Sequence, residues 1–115
     1  MRILLVEDDP EVLNYFAQAL RRLRPDLEIV EASNGREAFD YFLNMPFDLV
    51  LSDQRMPQMS GLDLLRAVRN HSNIPFVLFS SDRHAEEEAL DYGVSEYLSK
   101  PIGMFVLGSV LGRYL

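Results

Sequence analysis

Short apolar segments alternate with longer amphipathic segments from one end of the chain to the other. The apolar segments are rich in Ile, Leu, Val and Phe and too short for ordinary helices, which is typical of buried strands. Charged residues interrupt the second segment at Glu28 and Glu31, and this partial alternation predicts an edge strand. The predicted strands are Arg2–Val6, Glu28–Ala32, Asp48–Ser52, Pro75–Phe79 and Glu96–Ser99.

The segments between the strands repeat their apolar residues at helical spacing. In the first helix, Asp9 and Pro10 are typical of an N-cap and a first helical residue, and Pro25 ends the pattern. Ser60, with Asp63 three residues later, predicts another capped start. The other helices are predicted around Ala38–Leu43, over Arg83–Tyr92 and over the tail Ile102–Leu115, whose apolar stripe includes Phe105.

This alternation of strands and helices predicts the fold class. It is typical of an α/β domain with a parallel sheet and helices on both faces. Right-handed crossovers make all the strands point the same way. The carboxyl ends of the five strands therefore share one rim of the sheet, where open α/β folds bind their ligands.

Composition limits the class of protein. A length of 115 residues predicts one domain, and 48% hydrophobic residues are enough for a core. The net charge of −7 argues against direct binding of DNA or RNA, and the absence of Cys excludes disulfides and thiolate metal sites. The apolar run Ile3–Val6 is too short for a signal peptide or a membrane span, so we expect a cytoplasmic protein without membrane contact.

The sequence places several reactive side chains on the shared rim. Glu7 and Asp8 follow the first strand, Asp53 the third, Ser80 the fourth and Lys100 the fifth. Neighbouring carboxylates are unfavourable without a cation, and oxygen ligands suit Mg²⁺ or Mn²⁺. Asp53 can then act as a nucleophile toward a phosphoryl group, with Lys100 as its cationic partner and Ser80 as a hydrogen-bond donor. An acidic cluster alone is more often a solvated loop, but Asp53 and Lys100 on the same rim favour a site.

Four segments resemble the receiver domains of two-component response regulators, in the same order and at the same spacing. The resemblance covers essentially the whole chain, so residues 1–115 are predicted to form one receiver domain. It implies the flavodoxin-like topology, a doubly wound five-stranded sheet of order 2-1-3-4-5. The four segments are Leu5–Asp9, Leu51–Pro57, Met59–Gly61 and Tyr97–Pro101.

The resemblance implies a role for each residue of the acceptor site. Asp53 is expected to be the phosphoacceptor, Asp8 to bind Mg²⁺ directly and Glu7 to bind it through water. The backbone carbonyl of Arg55 is expected to be a further metal ligand. Gln54 departs from the family pattern, because an apolar residue is usual directly after the acceptor.

The resemblance also implies a conformational switch. Ser80 matches the switch hydroxyl, Tyr97 the rotating aromatic residue and Lys100 the lysine of the phosphoryl site. The Lys100–Pro101 peptide bond is expected to be cis, a form that is rare even before proline. Phosphorylation is expected to draw Ser80 inward and Tyr97 after it. The face formed by the fourth helix, fifth strand and fifth helix then changes through a population shift.

The predicted function is therefore a phosphoacceptor signalling switch. A histidine kinase or a phosphotransfer protein is expected to transfer a phosphoryl group to Asp53 in the presence of Mg²⁺. Such a domain accelerates only its own phosphorylation and dephosphorylation and is not a turnover enzyme. Core packing explains part of the wide apolar stripe of the tail, and a partner surface on the fourth and fifth helices explains the rest. The resemblance implies that this surface forms a homodimer or an output-domain contact.

Three alternatives stay open at this point. A receiver could act by binding without phosphorylation, although the full set of reactive groups argues against this. An FMN-binding flavodoxin-like domain would need a phosphate loop rich in Gly and hydroxyls after the first strand, where this chain has three acids and a proline. A metal-dependent phosphohydrolase of the aspartate type usually has a second acid two residues after the nucleophile, where this chain has Arg55.

Overall fold

A helix follows each of five parallel strands in the computed structural model, which describes residues 1–115. The strands are β1 (Arg2–Val6), β2 (Glu28–Ala32), β3 (Leu49–Asp53), β4 (Phe76–Ser80) and β5 (Glu96–Ser99). The helices are α1 (Pro10–Leu23), α2 (Gly35–Asn44), α3 (Gly61–Arg69), α4 (Ala85–Asp91) and α5 (Met104–Tyr114). The sheet order is β2-β1-β3-β4-β5, which confirms the predicted fold class and the edge position of β2. None of the helices combines the length and the apolar character needed to cross a membrane.

The core lies on both faces of the sheet, because successive residues of a strand point to opposite faces. Ile3 and Leu5 of β1 belong to a buried cluster with α1 and α5. Leu4 and Val6 belong to a second cluster, which includes residues of α2, α3 and α4. Packing on both faces fixes the ends of the central strands, and these ends carry the predicted site.

Two central strands are shifted by one residue from their predicted positions. β3 ends at Asp53 rather than Ser52, and β4 ends at Ser80 rather than Phe79. The ladder continues because Asp53 is paired with Phe79 and Ser80 with Ser99. Apolar character could not reveal these ends, since a polar residue can occupy the last position of a ladder. The sheet itself therefore holds Asp53 and Ser80.

α4 is shorter than the predicted Arg83–Tyr92. The Asp82 carboxylate accepts a hydrogen bond from the His84 backbone N–H (2.9 Å), so the chain turns before the helix begins. No side chain caps the N-terminus of α4. The helix ends beside Gly93, as predicted, and the φ of +85° at Gly93 is the left-handed conformation common after helices.

α5 buries much of the predicted apolar stripe but not Phe105. Leu107, Val110 and Leu111 are buried, whereas Phe105 is 87% exposed. Apolar residues surround most of this helix, so the sequence pattern could not show which of them face the sheet. The difference leaves a large aromatic side chain on the surface of the molecule.

Side-chain caps fix the starts of α1 and α3, as predicted. Asp9 accepts hydrogen bonds from the backbone N–H groups of Glu11 and Val12. Ser60 and Asp63 form a capping box at the start of α3. Each cap lies where the chain returns from the end of a strand, so both helices begin next to the rim that carries the site.

Candidate functional site

Three carboxylates meet where β1 and β3 end. Oxygen atoms of Glu7, Asp8 and Asp53 lie within 4.8 Å of one another. Val6 is paired with Ser52 across the two adjacent strands, which brings the residues that follow them to the same level. Glu7 and Asp53 are buried, whereas Asp8 is exposed. The cluster therefore has a solvent-facing side at Asp8.

Lys100 brings an ammonium group to this cluster from the end of β5. Its Nζ lies 2.7 Å from Asp53 Oδ1 and 3.5 Å from Glu7 Oε1. The Lys100 backbone N–H donates to the Ser80 carbonyl (3.0 Å), which aligns the lysine with the end of β4. The Lys100–Pro101 peptide bond is cis, as predicted. Groups from the first, third and fifth strands thus share one neighbourhood.

Burial and like charge alter the titration of the cluster. Burial raises the pKa of Glu7 to about 7; the Asp9 backbone N–H opposes this rise, and the negative charge of Asp53 adds to it. Burial also raises the pKa of Asp53, although the hydrogen bond from Lys100 and its positive charge act in the opposite direction. Burial lowers the pKa of Lys100, but contacts with the two carboxylates outweigh it, so that pKa is raised overall. Two buried carboxylates thus share a single charged ammonium group.

This donor set fits a hard divalent cation. Carboxylate oxygens within 4.8 Å of one another can bind a single ion, and oxygen ligands suit Mg²⁺ or Mn²⁺. An open groove of about 430 Å³ adjoins the cluster and is lined by Asp8, Gln54, Arg55, Met56 and Ser60. A bound cation would offset the repulsion between the carboxylates. The residues present therefore fit a magnesium-type site.

Ser80 and Tyr97 both bind the backbone of Asp82. Ser80 is buried, and its Oγ accepts a hydrogen bond from the Asp82 N–H (2.9 Å). The Tyr97 hydroxyl, on the neighbouring strand, donates to the Asp82 carbonyl. Asp82 thus links the two switch candidates where the chain leads into α4. No sequence pattern indicates this link, because it runs through backbone atoms.

A model of the response regulator receiver domain family matches residues 3–111. This chain belongs to that family. The match confirms the resemblance that the motifs indicated. Receiver domains are signalling switches that accept phosphate from histidine kinases, so this receiver domain is a phosphoacceptor signalling domain. The match favours this function over the FMN-binding alternative.

One curated relative of this receiver domain is the transcriptional regulatory protein YcbL of Bacillus subtilis strain 168. The two are 33% identical over 106 residues, which cover 90% of this chain and 46% of YcbL. This receiver domain spans less than half the length of the first curated relatives it matches. Those relatives therefore contain long segments that have no counterpart in these 115 residues.

Two solved structures with the same fold contain magnesium. TrrA from Thermotoga maritima, in complex with Mg²⁺–BeF, is 28% identical with a TM-score of 0.88, and the match covers 99% of this receiver domain and 98% of that chain. The receiver domain of the sensor histidine kinase PA1611 from Pseudomonas aeruginosa PAO1 has a magnesium ion in its active-site cleft. It is 26% identical with a TM-score of 0.88, over 98% of this receiver domain and 95% of that chain.

The structure brings most of the predicted site residues of this receiver domain together. The three acids and Lys100 form one cluster, and Ser80 ends the strand beside Asp53. Arg55 lies exposed in the loop after β3, beside the groove next to Asp8. The sequence marks Gln54 as unusual but does not reveal its contacts, because the Gln54 side chain binds a backbone N–H eight residues away.

Proposed function

We propose that Asp53 accepts a phosphoryl group from a histidine kinase or a phosphotransfer protein. The observation that carries this proposal is the Asp53 carboxylate, buried at the end of β3 with the Lys100 ammonium 2.7 Å away and two further carboxylates within 4.8 Å. A carboxylate nucleophile beside a fixed cation and a metal-binding oxygen cluster has what in-line phosphoryl transfer requires.

In this reaction an Asp53 oxygen attacks phosphorus while the bond from phosphorus to the donor nitrogen breaks. Glu7, Asp8, Asp53 and the backbone carbonyl of Arg55 would hold Mg²⁺ or Mn²⁺, with Glu7 acting through water. The cation neutralises charge on the phosphoryl oxygens when bound. Lys100 keeps a positive charge at the same place throughout, because its Nζ already contacts Asp53. The magnesium in TrrA and in the PA1611 receiver domain supports this choice of metal.

The switch in this proposal runs through Ser80, Asp82 and Tyr97. A phosphoryl group on Asp53 offers oxygen acceptors to the Ser80 hydroxyl at the end of the adjacent strand. Movement of Ser80 would disturb its hydrogen bond to the Asp82 N–H, and the Asp82 carbonyl is also bound by Tyr97. The segment before α4 then shifts, and the face of α4, β5 and α5 changes.

The same face is proposed to contact a second copy of the chain or an output domain. Leu90 on α4 is 62% exposed and Phe105 on α5 is 87% exposed, so each helix offers one large apolar side chain to a partner. The cytoplasm is the proposed location, since histidine kinases phosphorylate their receivers there. The domain is proposed to accelerate only its own phosphorylation and dephosphorylation.

The test of this function uses a small-molecule phosphodonor and Mg²⁺. We expect the wild-type chain to gain one acid-stable, base-labile acyl phosphate by mass spectrometry and Asp53→Asn to gain none, because the amide is not a nucleophile. Asp40→Asn, on the exposed surface of α2, is the matched control and keeps the modification. With Mg²⁺ and beryllofluoride, the NMR signals of Ser80 and Lys100 should shift in the wild type and in Asp40→Asn but not in Asp53→Asn. Equal modification of wild type and Asp53→Asn would contradict the assignment, and a wild type that takes up no phosphoryl group would favour a receiver that acts by binding alone.

A further inference from the structure

Gln54 is the first residue of the loop after β3, and it is hydrogen-bonded to the start of α3. Its Oε1 accepts a hydrogen bond from the Leu62 backbone N–H (2.8 Å), and its backbone carbonyl accepts one from Gly61 N–H (2.9 Å). Its own backbone N–H donates to the Phe79 carbonyl (3.1 Å) in the sheet. One residue thus ties the strand, the loop and the helix together.

These contacts satisfy a helix end that would otherwise need another partner. The first N–H groups of a helix have no acceptor within the helix. At α3, Ser60 binds the N–H of Asp63 through its side chain and that of Leu64 through its carbonyl. The N–H groups of Gly61 and Leu62 both depend on Gln54. An apolar residue at position 54 would leave the Leu62 N–H without this bond.

The next residue along the chain, Arg55, lines the groove that also contacts Asp8, and its backbone carbonyl is the further metal ligand of the proposed function. Arg55 takes part in none of the backbone hydrogen bonds outside the helices and strands, and its side chain is exposed. Its position therefore depends on its neighbours, namely Gln54 on one side and Met56, which packs against the core, on the other. At the far end of the loop, Gly61 starts α3 and is bound to Gln54.

We propose that Gln54 is a positioning residue that sets the Arg55 carbonyl for metal binding by clamping the β3–α3 loop to α3. The proposal rests on the proposed function, since it concerns the same divalent cation. Groups that orient a metal ligand without touching the ion commonly change metal affinity when they are replaced. Gln54 would orient the Arg55 carbonyl by accepting the hydrogen bond from the Leu62 N–H. This role requires an oxygen acceptor at the end of a side chain of this length.

The test compares Gln54→Met with wild type. Methionine has nearly the same length but no oxygen acceptor, so we expect the Leu62 amide to exchange with solvent about tenfold faster. We expect the dissociation constant for Mg²⁺, measured by isothermal titration calorimetry without a phosphodonor, to rise about tenfold. Gln18→Met, on the exposed surface of α1, makes the same substitution away from the loop and should change neither quantity.

Gln54→Glu tests whether residue 54 affects Mg²⁺ binding through its hydrogen bond with the Leu62 N–H or only through the general stability of the fold. Its carboxylate keeps an oxygen at the same reach, so the Leu62 amide should regain its slow exchange, and Mg²⁺ should bind at least as tightly as in the wild type. Tight Mg²⁺ binding by both wild type and Gln54→Met would overturn the positioning role and leave the proposed function intact. A wild type that binds no Mg²⁺ would overturn both. If Gln54→Met does not fold, slow Leu62 exchange in Gln54→Leu and Gln54→Ala would overturn the clamp.

Discussion

At Gly61, the packing next to the site leaves no room for a side chain. A Cβ at this position would lie less than 3.0 Å from both the Asp53 carbonyl oxygen and the Leu78 side chain. Real Cβ atoms essentially never approach so closely, so α3 or the end of β3 would have to move. Gly61 is therefore needed for space, and Asp53 and the start of α3 lie against each other because of it.

Gly61→Ala should destabilise the fold, because the added Cβ would meet the end of β3. We expect the free energy of unfolding to fall by about 2 kcal/mol or more, as for other overpacked core positions. Gly112→Ala is the control, because a Cβ there meets no atom within 4 Å; we expect it to stabilise α5 by about 0.5–1 kcal/mol. Urea unfolding of the two variants measures both changes, and similar midpoints would show that Gly61 is not confined.

At the scale of elements, the two ends of α4 are held in different ways: α3 contacts its C-terminal end, and the segment before its N-terminus is bound through Asp82. Arg69 of α3 donates to the Gly93 carbonyl (2.9 Å), and the Arg66 guanidinium lies 5.0 Å from the centre of the Tyr92 ring. The N-terminus of α4 has no side-chain cap and connects through Asp82 to the switch candidates. The sequence predicted the end of α4 at Gly93 but not its start, because the hydrogen bond that turns the chain before the helix is formed by Asp82 and not by an apolar pattern.

The exposed aromatic of α5 offers a test of the proposed contact face. We expect Mg²⁺ and beryllofluoride to increase self-association of the wild type in sedimentation velocity experiments. Phe105→Ser should weaken that association about tenfold to a hundredfold, because a buried phenylalanine side chain is worth about 1.5–3 kcal/mol. Leu43→Ser, at an exposed leucine of α2, is the control and should associate like the wild type. Equal association of both variants would place the contact elsewhere.

For the whole molecule, the alternation of apolar and amphipathic segments was enough to predict the sheet, its rim and the meeting of Asp8, Asp53 and Lys100. Topology alone brings the ends of parallel strands together. The pattern could not supply the 2.7 Å contact between Lys100 and Asp53 or the burial of Glu7, since both depend on strand register and on side-chain packing. It also could not reveal Gln54 as a clamp, because polar residues in loops are ordinarily solvated.

The acidic cluster should also govern how the stability of the whole chain responds to metal. A ligand that binds only the folded state stabilises it, by about 2.7 kcal/mol at one hundred times its dissociation constant. We therefore expect Mg²⁺ to raise the free energy of unfolding of the wild type, measured by urea titration, and to have much less effect on Asp8→Asn. Asp8 suits this test because its side chain is exposed, so its replacement does not disturb the core.

Two controls separate a metal site from a general effect of charge. Asp40→Asn loses the same charge on the surface of α2 and should respond to Mg²⁺ like the wild type. Because the net charge of −7 can itself favour cations, each titration is repeated in NaCl of equal ionic strength. An equal response of all three proteins to Mg²⁺, reproduced by NaCl, would mean that screening of the net charge, and not a site at Glu7, Asp8 and Asp53, produces the effect.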